Sequence, residues 1–413
     1  MVNPFDLKRK IEIIRISTRL ITNTVYVYKK IKLDLKERMG NMEFTTRRET
    51  ILEGVQKTLG IVEKKTTMPI LNNVLVRAEQ GRVKLMATDR EIGLITQYDA
   101  DVSVAGDITL SARKFSEMLR ELQGETILFQ KQENNQVLIS CGKVVYRIPG
   151  IPAEDFPLVV FDESVRLYPI KAQVLRDLIR KVYFAMSTDD LRRNLNGVFF
   201  ETERQGEGCQ VRMVATDGHR LAKACAGVGD PDFLALEKGV ILPRKGLGEI
   251  RKLLEGEDGD VDVAIASGMC MIKTANTVLK VSLIDAEYPD YRRVIPSEPG
   301  KRVTFDKNTV LHAFRRMGVM ANDRYSGVIV RLTENRMVLN SQNPDVGEAS
   351  DEIEVGYREA ELEVGYNVRY LIDALEVIDE KDVAFDVGAG MKPGVMRPLG
   401  NDQYFCIIMP LKL

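Results

Sequence analysis

The chain lacks several features that mark common classes of protein. No stretch approaches the roughly 20 consecutive apolar residues of a membrane span, so no membrane association is predicted. The two histidines, His219 and His312, and the five cysteines form no Cys-x-x-Cys or His-Cys pattern, so we expect no metal site and no cofactor. An odd number of cysteines suits a reducing cytoplasm better than a secreted disulfide framework.

Charge is unevenly distributed along the chain. The formal net charge of the 413 residues is −1 at pH 7. Residues 1–41 hold ten Lys and Arg against four Asp and Glu, so the remaining residues carry −7. An acidic body argues against adhesive binding of nucleic acid over the whole surface. It leaves room for a basic lining confined to one face.

One sequence pattern occurs three times. Each copy has an apolar strand, a turn and a second apolar strand that ends in Asp or Asn, at Val83–Asp89, Val211–Asp217 and Met337–Asn343. Asp89 and Asp217 lie 128 residues apart, and Asp217 and Asn343 lie 126 residues apart. This period exceeds the roughly 20–50 residues of stacked repeats and matches a complete small domain. Three pseudo-equivalent domains in a row predict an arc or a ring.

Each copy is predicted to combine two helices with several antiparallel strands. A short strand followed by helical apolar spacing opens the copies at Met42–Thr45, Val165–Leu167 and Val303–Phe305. A second helical segment recurs at 112–119, 243–250 and 367–375, among apolar runs of strand length. The predicted fold class is therefore α+β.

Two connectors join the copies and resemble each other. Ala153–Pro157 follows the first copy and Ala286–Asp290 follows the second, and each places an aromatic residue beside a proline. Proline restricts the residue before it to extended conformations. We therefore expect extended crossings whose aromatic side chains are pinned against a core.

Several motifs occur in the order and spacing of one known family. They are the segments Ala215–Leu221, Pro243–Gly246, Tyr288–Pro296 and Met409–Leu413. Together with the threefold repeat they resemble the bacterial DNA sliding clamps, the beta subunits of DNA polymerase III, from Met42 to Leu413. The resemblance implies three clamp domains, each with two helices on antiparallel sheets, that form half of a closed ring.

The function implied by this resemblance is that of a non-catalytic DNA polymerase processivity factor. The implied assembly is a head-to-tail homodimer that encircles duplex DNA without sequence preference and slides on it. The implied partners are the DNA polymerase III alpha subunit, the clamp loader, the 3'–5' exonuclease complex and other proteins with a clamp-binding motif. The implied location is the cytoplasm.

Helix dimensions independently favour a dimer. If neighbouring helices are about 9 Å apart, the six inner helices of one chain close a circle of about 17 Å, which leaves no room for DNA. Twelve helices from two chains give a circle of about 34 Å and a hole of about 24 Å, which admits a duplex about 20 Å thick. Two chains are therefore the smallest ring that fits.

Basic residues on the predicted inner surface can contact phosphates without reading bases. The resemblance implies DNA contacts by Lys65, Arg113, Arg176, Arg192, Arg193, Arg244 and Lys245. The family has an arginine at the position of Lys65, and tyrosines at Arg193 and Asn194, so Arg193 is expected to replace stacking with a phosphate contact. The alternative for each residue is a solvated amphipathic face. Asp373 and Glu376 on the last predicted helix fit a basic lining poorly.

The resemblance also implies a cleft between the second and third domains that binds short peptides of partner proteins. Its residues are Leu195, Thr216, Gly218, His219, Arg220, Leu221, Pro289, Arg293, Val294, Ile407, Ile408, Met409, Pro410, Leu411, Lys412 and Leu413. Aliphatic walls with a few hydrogen-bond donors suit such a ligand.

The implied dimer seam joins the first domain of one chain to the third domain of the other. Its apolar contacts are expected at Tyr146 and Ile148 on one side and at Val319 and Met320 on the other. The edges of strands are expected to pair across it. The alternative is that these are ordinary core residues.

Two other functions are compatible with parts of the sequence. Asp217 beside His219 resembles an acid–base pair and would fit a hydrolase. However, the first copy has Asp89-Arg90-Glu91 at this place and no Gly-x-Ser-x-Gly motif accompanies the pair, so a turn capped by Asp217 is favoured. A scaffold that binds peptides but never DNA is the other alternative.

The predicted domain boundaries are 42–160, 161–297 and 298–413, after an extension at residues 1–41. The extension lies outside the resemblance, and its basic character and apolar runs are compatible with a targeting peptide or an added DNA-binding arm. A start codon assigned upstream of Met42 is the favoured interpretation, because Lys36-Glu37-Arg38 can be encoded by a purine-rich ribosome-binding sequence. Otherwise we expect this segment to be disordered.

Overall fold

A computed structural model describes residues 41–62, 68–157, 159, 164–321 and 326–412. The expectations for residues 1–40, Lys65 and Leu413 lie outside the described residues. The chain divides into two compact units, Met1–Phe161 with the short segment Asn276–Val278, and the remainder. None of the helices in the described part of the chain has the length and apolar character required to cross a membrane.

Within its described residues, the first unit contains two α-helices and nine strands. In chain order these are β1 Met42–Arg47, α1 Arg48–Thr58, β2 Asn73–Glu79, β3 Arg82–Thr88, β4 Ile92–Asp99, β5 Asp101–Val104, β6 Gly106–Ser111, α2 Ala112–Glu121, β7 Thr126–Lys131, β8 Gln136–Cys141 and β9 Val144–Pro149. One antiparallel sheet has the order β5-β1-β7-β8-β9, and the strands β4-β3-β2-β6 are hydrogen-bonded in that order. Phe44, Phe115 and Phe129 pack together in the core of this unit.

The second unit contains the second and third copies of the repeat. Its first half comprises β10 Tyr168–Lys171, α3 Ala172–Val182, β11 Gly197–Gln205, β12 Gly208–Thr216, β13 Arg220–Val228, β14 Val240–Pro243, α4 Arg244–Leu254, β15 Asp260–Ala266, β16 Met269–Lys273 and β17 Thr277–Ser282. Its second half comprises β18 Lys301–Asp306, α5 Lys307–Gly318, β19 Gly327–Thr333, β20 Arg336–Asn343, β21 Gly347–Glu354, β22 Leu362–Asn367, α6 Val368–Glu376, β23 Asp382–Val387, β24 Gly394–Pro398 and β25 Tyr404–Ile408.

A single eight-stranded sheet joins the second and third copies. Its order is β14-β11-β12-β13-β25-β24-β23-β18, and the junction is the antiparallel pair β13–β25, in which Leu221 lies opposite Ile407. The third copy adds a four-stranded sheet of order β21-β20-β19-β22. The predicted α+β architecture, with two helices and antiparallel strands in each copy, is confirmed.

Local sequence accounts for the start of α5. Asp306 begins α5 because its carboxylate accepts a hydrogen bond from the amide of Thr309 at 2.9 Å, and the same contact lowers the pKa of Asp306.

The opening strand of the second copy was predicted at Val165–Leu167, but it lies at Tyr168–Lys171. The prediction was wrong because Ile170 supplies the buried side chain of this strand, whereas Val165 and Leu167 are only partly buried.

The connectors place their aromatic residues as predicted. Phe156 is buried with Ile70, Leu71, Leu75 and Met86, and Tyr288 is buried in a corresponding cluster of the second unit. The first crossing is not fully extended, because Ala153–Asp155 form one turn of 3-10 helix before Phe156.

Candidate functional site: an apolar cleft beside a capped turn

The turn between β12 and β13 is held by hydrogen bonds from its own side chains. Asp217 Oδ1 accepts from the amides of His219 at 2.9 Å and Arg220 at 3.0 Å. Thr216 Oγ1 accepts from the amide of Gly218 at 3.1 Å and donates to the Arg220 carbonyl at 2.6 Å. Gly218 has a φ of 89°, a conformation that glycine adopts without steric cost. The turn is therefore preorganised, with His219 exposed at its tip.

Beside this turn, apolar side chains of both halves of the sheet form one cluster. Leu221 and Ile407 are buried together with Val214 and Val395, and Leu195 packs against them while partly exposed. Leu221 and Ile407 lie directly opposite each other on paired strands, which places their side chains on one face of the sheet. The structure thus brings together three of the predicted cleft residues from distant parts of the sequence.

The second connector forms another wall of this region. Tyr288 stacks on Phe199 with ring centroids 4.9 Å apart, and Tyr291 donates a 2.6 Å hydrogen bond to Glu201. Burial raises the pKa of both phenols, and for Tyr291 the bond to Glu201 raises it further, so both stay protonated at neutral pH. These anchors hold the exposed residues Pro289, Arg293 and Val294 at the surface.

The terminal residues follow β25 out of the sheet. The amide of Met409 donates to the His219 carbonyl at 2.9 Å, and the amide of Leu411 donates to the Gly365 carbonyl at 2.8 Å. Met409, Leu411 and Lys412 are exposed, whereas Pro410 is buried. The tail therefore bridges the cleft turn and strand β22 of the third copy.

Ile408 and Arg220 were predicted to line the cleft, but they lie on the face of the sheet opposite the apolar cluster. Side chains alternate between the two faces of a strand, so Ile408 and its partner Arg220 point away from Ile407 and Leu221. Tyr404 lies on the same face as Ile408, and its hydroxyl donates to Ala374 of α6 at 3.4 Å. This face packs on the helices, and Ile408 is fully buried there.

Arg220 makes several contacts within the helix layer. Its guanidinium donates to Asp217 at 3.1 Å, to Asp373 of α6 at 2.5 Å and to the Phe184 carbonyl at 2.7 Å, and it lies over the rings of Tyr370 and Phe184. Burial alone would lower the pKa of Arg220, but the hydrogen bond and charge of Asp373 and the charge of Asp217 outweigh it, so this pKa is raised. The arginine is a permanently charged structural cation.

The predicted seam residues lie near the outer strands of two sheets. Tyr146 and Ile148 are partly buried on β9, the outermost strand of its sheet, and Val319 is 72 % exposed at the end of α5, next to the partly buried Met320. The side-chain Nδ2 of Asn343 donates to the Met320 carbonyl at 2.7 Å. The third copy of the repeated turn thus supports the segment that carries Val319 and Met320.

Comparison with known proteins identifies the family. Models of the DNA polymerase III beta subunit match its N-terminal domain at residues 42–160, its central domain at 169–290 and its C-terminal domain at 292–412. The chain is 32 % identical over 373 residues to the beta sliding clamp of Pseudomonas aeruginosa and 30 % identical to that of Escherichia coli K12, covering 90 % of this chain and all of each relative. A sliding clamp of Bartonella birtlesii, solved bound to griselimycin, is 30 % identical over 90 % of this chain and all of its own, with a TM-score of 0.85.

The chain belongs to the DNA polymerase III beta subunit family, the bacterial sliding clamps. The predicted family, fold class and non-catalytic processivity function are confirmed. The hydrolase alternative loses its candidate base, because both oxygens of Asp217 are engaged by the turn amides and Arg220. Among the described residues, no group of three or more His, Cys, Asp or Glu is arranged to hold a metal ion.

The described basic residues that were predicted to contact DNA fall into two groups by their contacts. Arg113, Arg193 and Lys245 are exposed, as is Arg192 of the second group. Arg176 donates to the Leu254 carbonyl at 2.7 Å, Arg244 donates to carbonyls of Met186 and Ser187, and Arg192 donates to the Asp217 carbonyl at 3.2 Å. The second group therefore joins elements of the second unit, and Arg192 lies against the turn of the cleft.

Several contributing residues were not predicted as site residues. Asp373 and Glu376 stood out only as acidic residues in a basic helix layer, and the structure pairs them with Arg220 and Arg315. Glu201 carried no signal in the sequence, because its contact with Tyr291 depends on how distant segments fold. Asn343 was recognisable as the end of the third copy, but its contact with the Met320 carbonyl was not predicted.

Proposed function

We propose that two copies of this clamp close a ring around duplex DNA and tether DNA polymerase III and other DNA-acting proteins through the cleft beside the Asp217 turn. The observation that carries the proposal is the joint wall of Leu195, Leu221 and Ile407, which draws on both halves of the shared sheet. The ring binds by topology, so weak phosphate contacts are sufficient and permit sliding. Retention on circular DNA, and rapid loss after linearisation, is the expected result; equal retention on both forms would favour a scaffold that does not encircle DNA.

Peptides of the alpha subunit, the clamp loader and the exonuclease complex are expected to bind this cleft. Met409 is 38 % exposed at its edge and is fixed by the bond to the His219 carbonyl, while Val294 and Pro289 stand on the anchored connector. An apolar wall with backbone donors nearby suits an extended peptide with aliphatic anchors. Thr216, Gly218, His219, Arg293, Pro410, Leu411 and Lys412 complete the proposed cleft around this wall.

Substitution at Met409 tests the cleft more cleanly than truncation, because the tail also bonds to Gly365. Met409→Asp should weaken a fluorescent peptide from the alpha subunit by about tenfold or more, since a buried apolar contact of about 1.5–3 kcal/mol is lost. Leu399→Asp is the matched control: Leu399 is also exposed, but it lies at the far end of the β24–β25 hairpin. Equal affinities of wild type and Met409→Asp would place the peptide elsewhere.

The exposed residues Arg113, Arg193 and Lys245 are the proposed phosphate contacts, with Arg176, Arg192 and Arg244 contributing positive charge from more constrained positions. Phosphate contacts release counterions, so the loaded clamp should leave DNA ends faster as salt rises. Replacing Arg113 and Arg193 with Gln should flatten this salt dependence without changing the dimer. An unchanged salt dependence would assign DNA contact to other residues.

The proposed seam pairs the outer edge of β9 with that of β21, the outermost strand of the four-stranded sheet. An unpaired strand edge presents a row of backbone donors and acceptors that a second chain can satisfy. Tyr146 and Ile148 would meet Val319 and Met320 there. We retain the division into clamp domains at 42–160, 161–297 and 298–413, and we place the protein in the cytoplasm, where replication occurs in bacteria.

A further inference from the structure

The side chain of Arg220 connects the cleft turn to the helix layer behind the sheet. It leaves the turn on the face opposite Leu221, and only 11 % of it is exposed. It contacts Asp217 of the turn, Asp373 of α6 and the carbonyl of Phe184, which follows α3. The second and third copies of the repeat thus meet at one guanidinium.

The turn itself does not require an arginine at this position. In the first copy, Asp89 Oδ1 accepts from the amides of Glu91 at 2.9 Å and Ile92 at 2.6 Å, and Thr88 Oγ1 donates to the Ile92 carbonyl at 2.8 Å. The same pattern of bonds therefore forms with an isoleucine in place of Arg220. Ile92 is buried, so an apolar side chain satisfies the fold at this position. The arginine must be explained by what lies beyond the turn.

The ion pair between Arg220 and Asp373 distinguishes the turn of the second copy from that of the first, which has Ile92 in place of Arg220. Asp373 is an acidic residue on a helix layer otherwise rich in basic residues, and it pairs with Arg220 at 2.5 Å. The carboxylate of Asp217 is shared between the turn amides and the same guanidinium. A shift of α6 would therefore be transmitted through Arg220 to the carboxylate that shapes the turn.

We infer that Arg220 is a positioning residue, which does not bind the peptide itself but couples the conformation of the cleft turn to helix α6 through Asp373. The inference rests on the proposed peptide cleft. Asp373 lies on the helix side of the sheet and the cleft lies on the other side. Asp373 nevertheless contributes to the affinity of the cleft for its peptide. Energetic coupling can be carried by a contiguous set of contacts, and the contacts from the turn through Asp217 and Arg220 to Asp373 form one.

The test compares two ion pairs within the second unit. Asp373→Asn removes the charge that engages Arg220. Asp379→Asn removes one partner of Arg180, an α3 residue whose guanidinium also contacts Asp177 and the Val377 carbonyl. With a fluorescent alpha-subunit peptide as the probe, Asp373→Asn should raise the dissociation constant about fivefold or more, within the usual range of coupling between sites. Asp379→Asn should leave it within about twofold.

A double-mutant cycle and a conservative variant separate positioning from general damage. Asp373→Asn should cause no further loss when Arg220 is already isoleucine, and Asp373→Glu should restore most of the affinity because it keeps the charge. Hydrogen exchange at the amides of His219 and Arg220 should accelerate in Asp373→Asn and not in Asp379→Asn.

The outcomes distinguish the inference from the function on which it rests. If wild type does not bind the peptide, the proposed cleft is wrong. If wild type binds and Asp373→Asn binds equally well, or if both asparagine variants lose affinity to the same extent, the cleft stands and the coupling through Arg220 is overturned.

Discussion

The turns at Asp89 and Asp217 have the same backbone hydrogen bonds but different surroundings. In both, an aspartate accepts from the amides two and three residues ahead, and a threonine hydroxyl closes the loop. After the first turn comes Gly93, and an ideal Cβ built there would lie 2.6 Å from Val159 Cγ1. After the second turn comes Leu221, which joins an apolar cluster with Ile407, and the amide of the exposed Met409 bonds to the His219 carbonyl of the same turn.

The residues that close the hairpin are not the residues that make a binding surface. The aspartate and threonine close the hairpin in both copies, so their presence carries no information about ligands. In the first copy, Val159 packs over Gly93. In the second copy, Leu221 lies in an apolar cluster, and the terminal residues from Met409 onward bond to the turn. Side chains that follow the turn, and the segments that cover them, therefore decide which copy can bind a partner.

The third copy has its own version of the turn, which contacts the proposed dimer seam. Substitutions at this seam are expected to have the largest effect. Asn343 takes the place of the aspartate, accepts from the amide of Asp345 at 3.0 Å and bonds to the Met320 carbonyl. Changing Val319 and Met320 together to Glu should convert the dimer into a folded monomer, because unpaired charges buried at a seam cost several kcal/mol. Sedimentation velocity measures the result, and a persistent dimer would place the seam elsewhere.

Removing the aspartate should destabilise the clamp through either turn. Asp89→Ala leaves two amides without their acceptor, which we expect to lower the free energy of unfolding by about 1–3 kcal/mol. Asp217→Ala also removes a partner of the buried Arg220, so we expect about 2–4 kcal/mol. Urea denaturation of each variant measures the loss. A loss of no more than about 1 kcal/mol in Asp217→Ala would contradict a stabilising contact between Asp217 and Arg220.

Replacing Gly93 of the first copy by leucine, the residue at the corresponding position 221 of the second copy, should destabilise the first unit. Gly93→Leu places a side chain where Val159 already lies, so we expect a loss of about 1–3 kcal/mol from overpacking. Adding Val159→Ala should recover part of that loss. Thermal melts of the single and double variants measure both effects; a Gly93→Leu clamp as stable as wild type would mean that Val159 moves aside without cost.

The smallest expected effects are at one backbone position that differs between the copies. Arg90 has a φ of 82° and Gly218 a φ of 89°, so the same left-handed conformation is occupied by arginine in one copy and glycine in the other. Gly218→Ala should destabilise by about 1 kcal/mol, and Arg90→Gly should stabilise by less than that because relief of strain is offset by chain entropy. Changes of the same sign in both melts would contradict this account.

The sequence by itself determined the repeat, the fold class and the family. A turn closed by Asp or Asn is a local structure, and alternation of apolar residues is a local pattern, so Asp89, Asp217 and Asn343 were recognisable without coordinates. The buried aromatic residues of the two connectors were recognisable for the same reason. Ordered motifs such as Tyr288–Pro296 then identified the family.

Only the tertiary structure decided which side chains share a surface. Ile407 and Ile408 are neighbours in sequence, yet strand alternation sends the first to the apolar cluster and the second to the helices. Asp373 lies 153 residues from Arg220, and no local pattern predicts an ion pair across that separation. Such contacts depend on the pairing of β13 with β25 and on the packing of α6, which are properties of the whole fold.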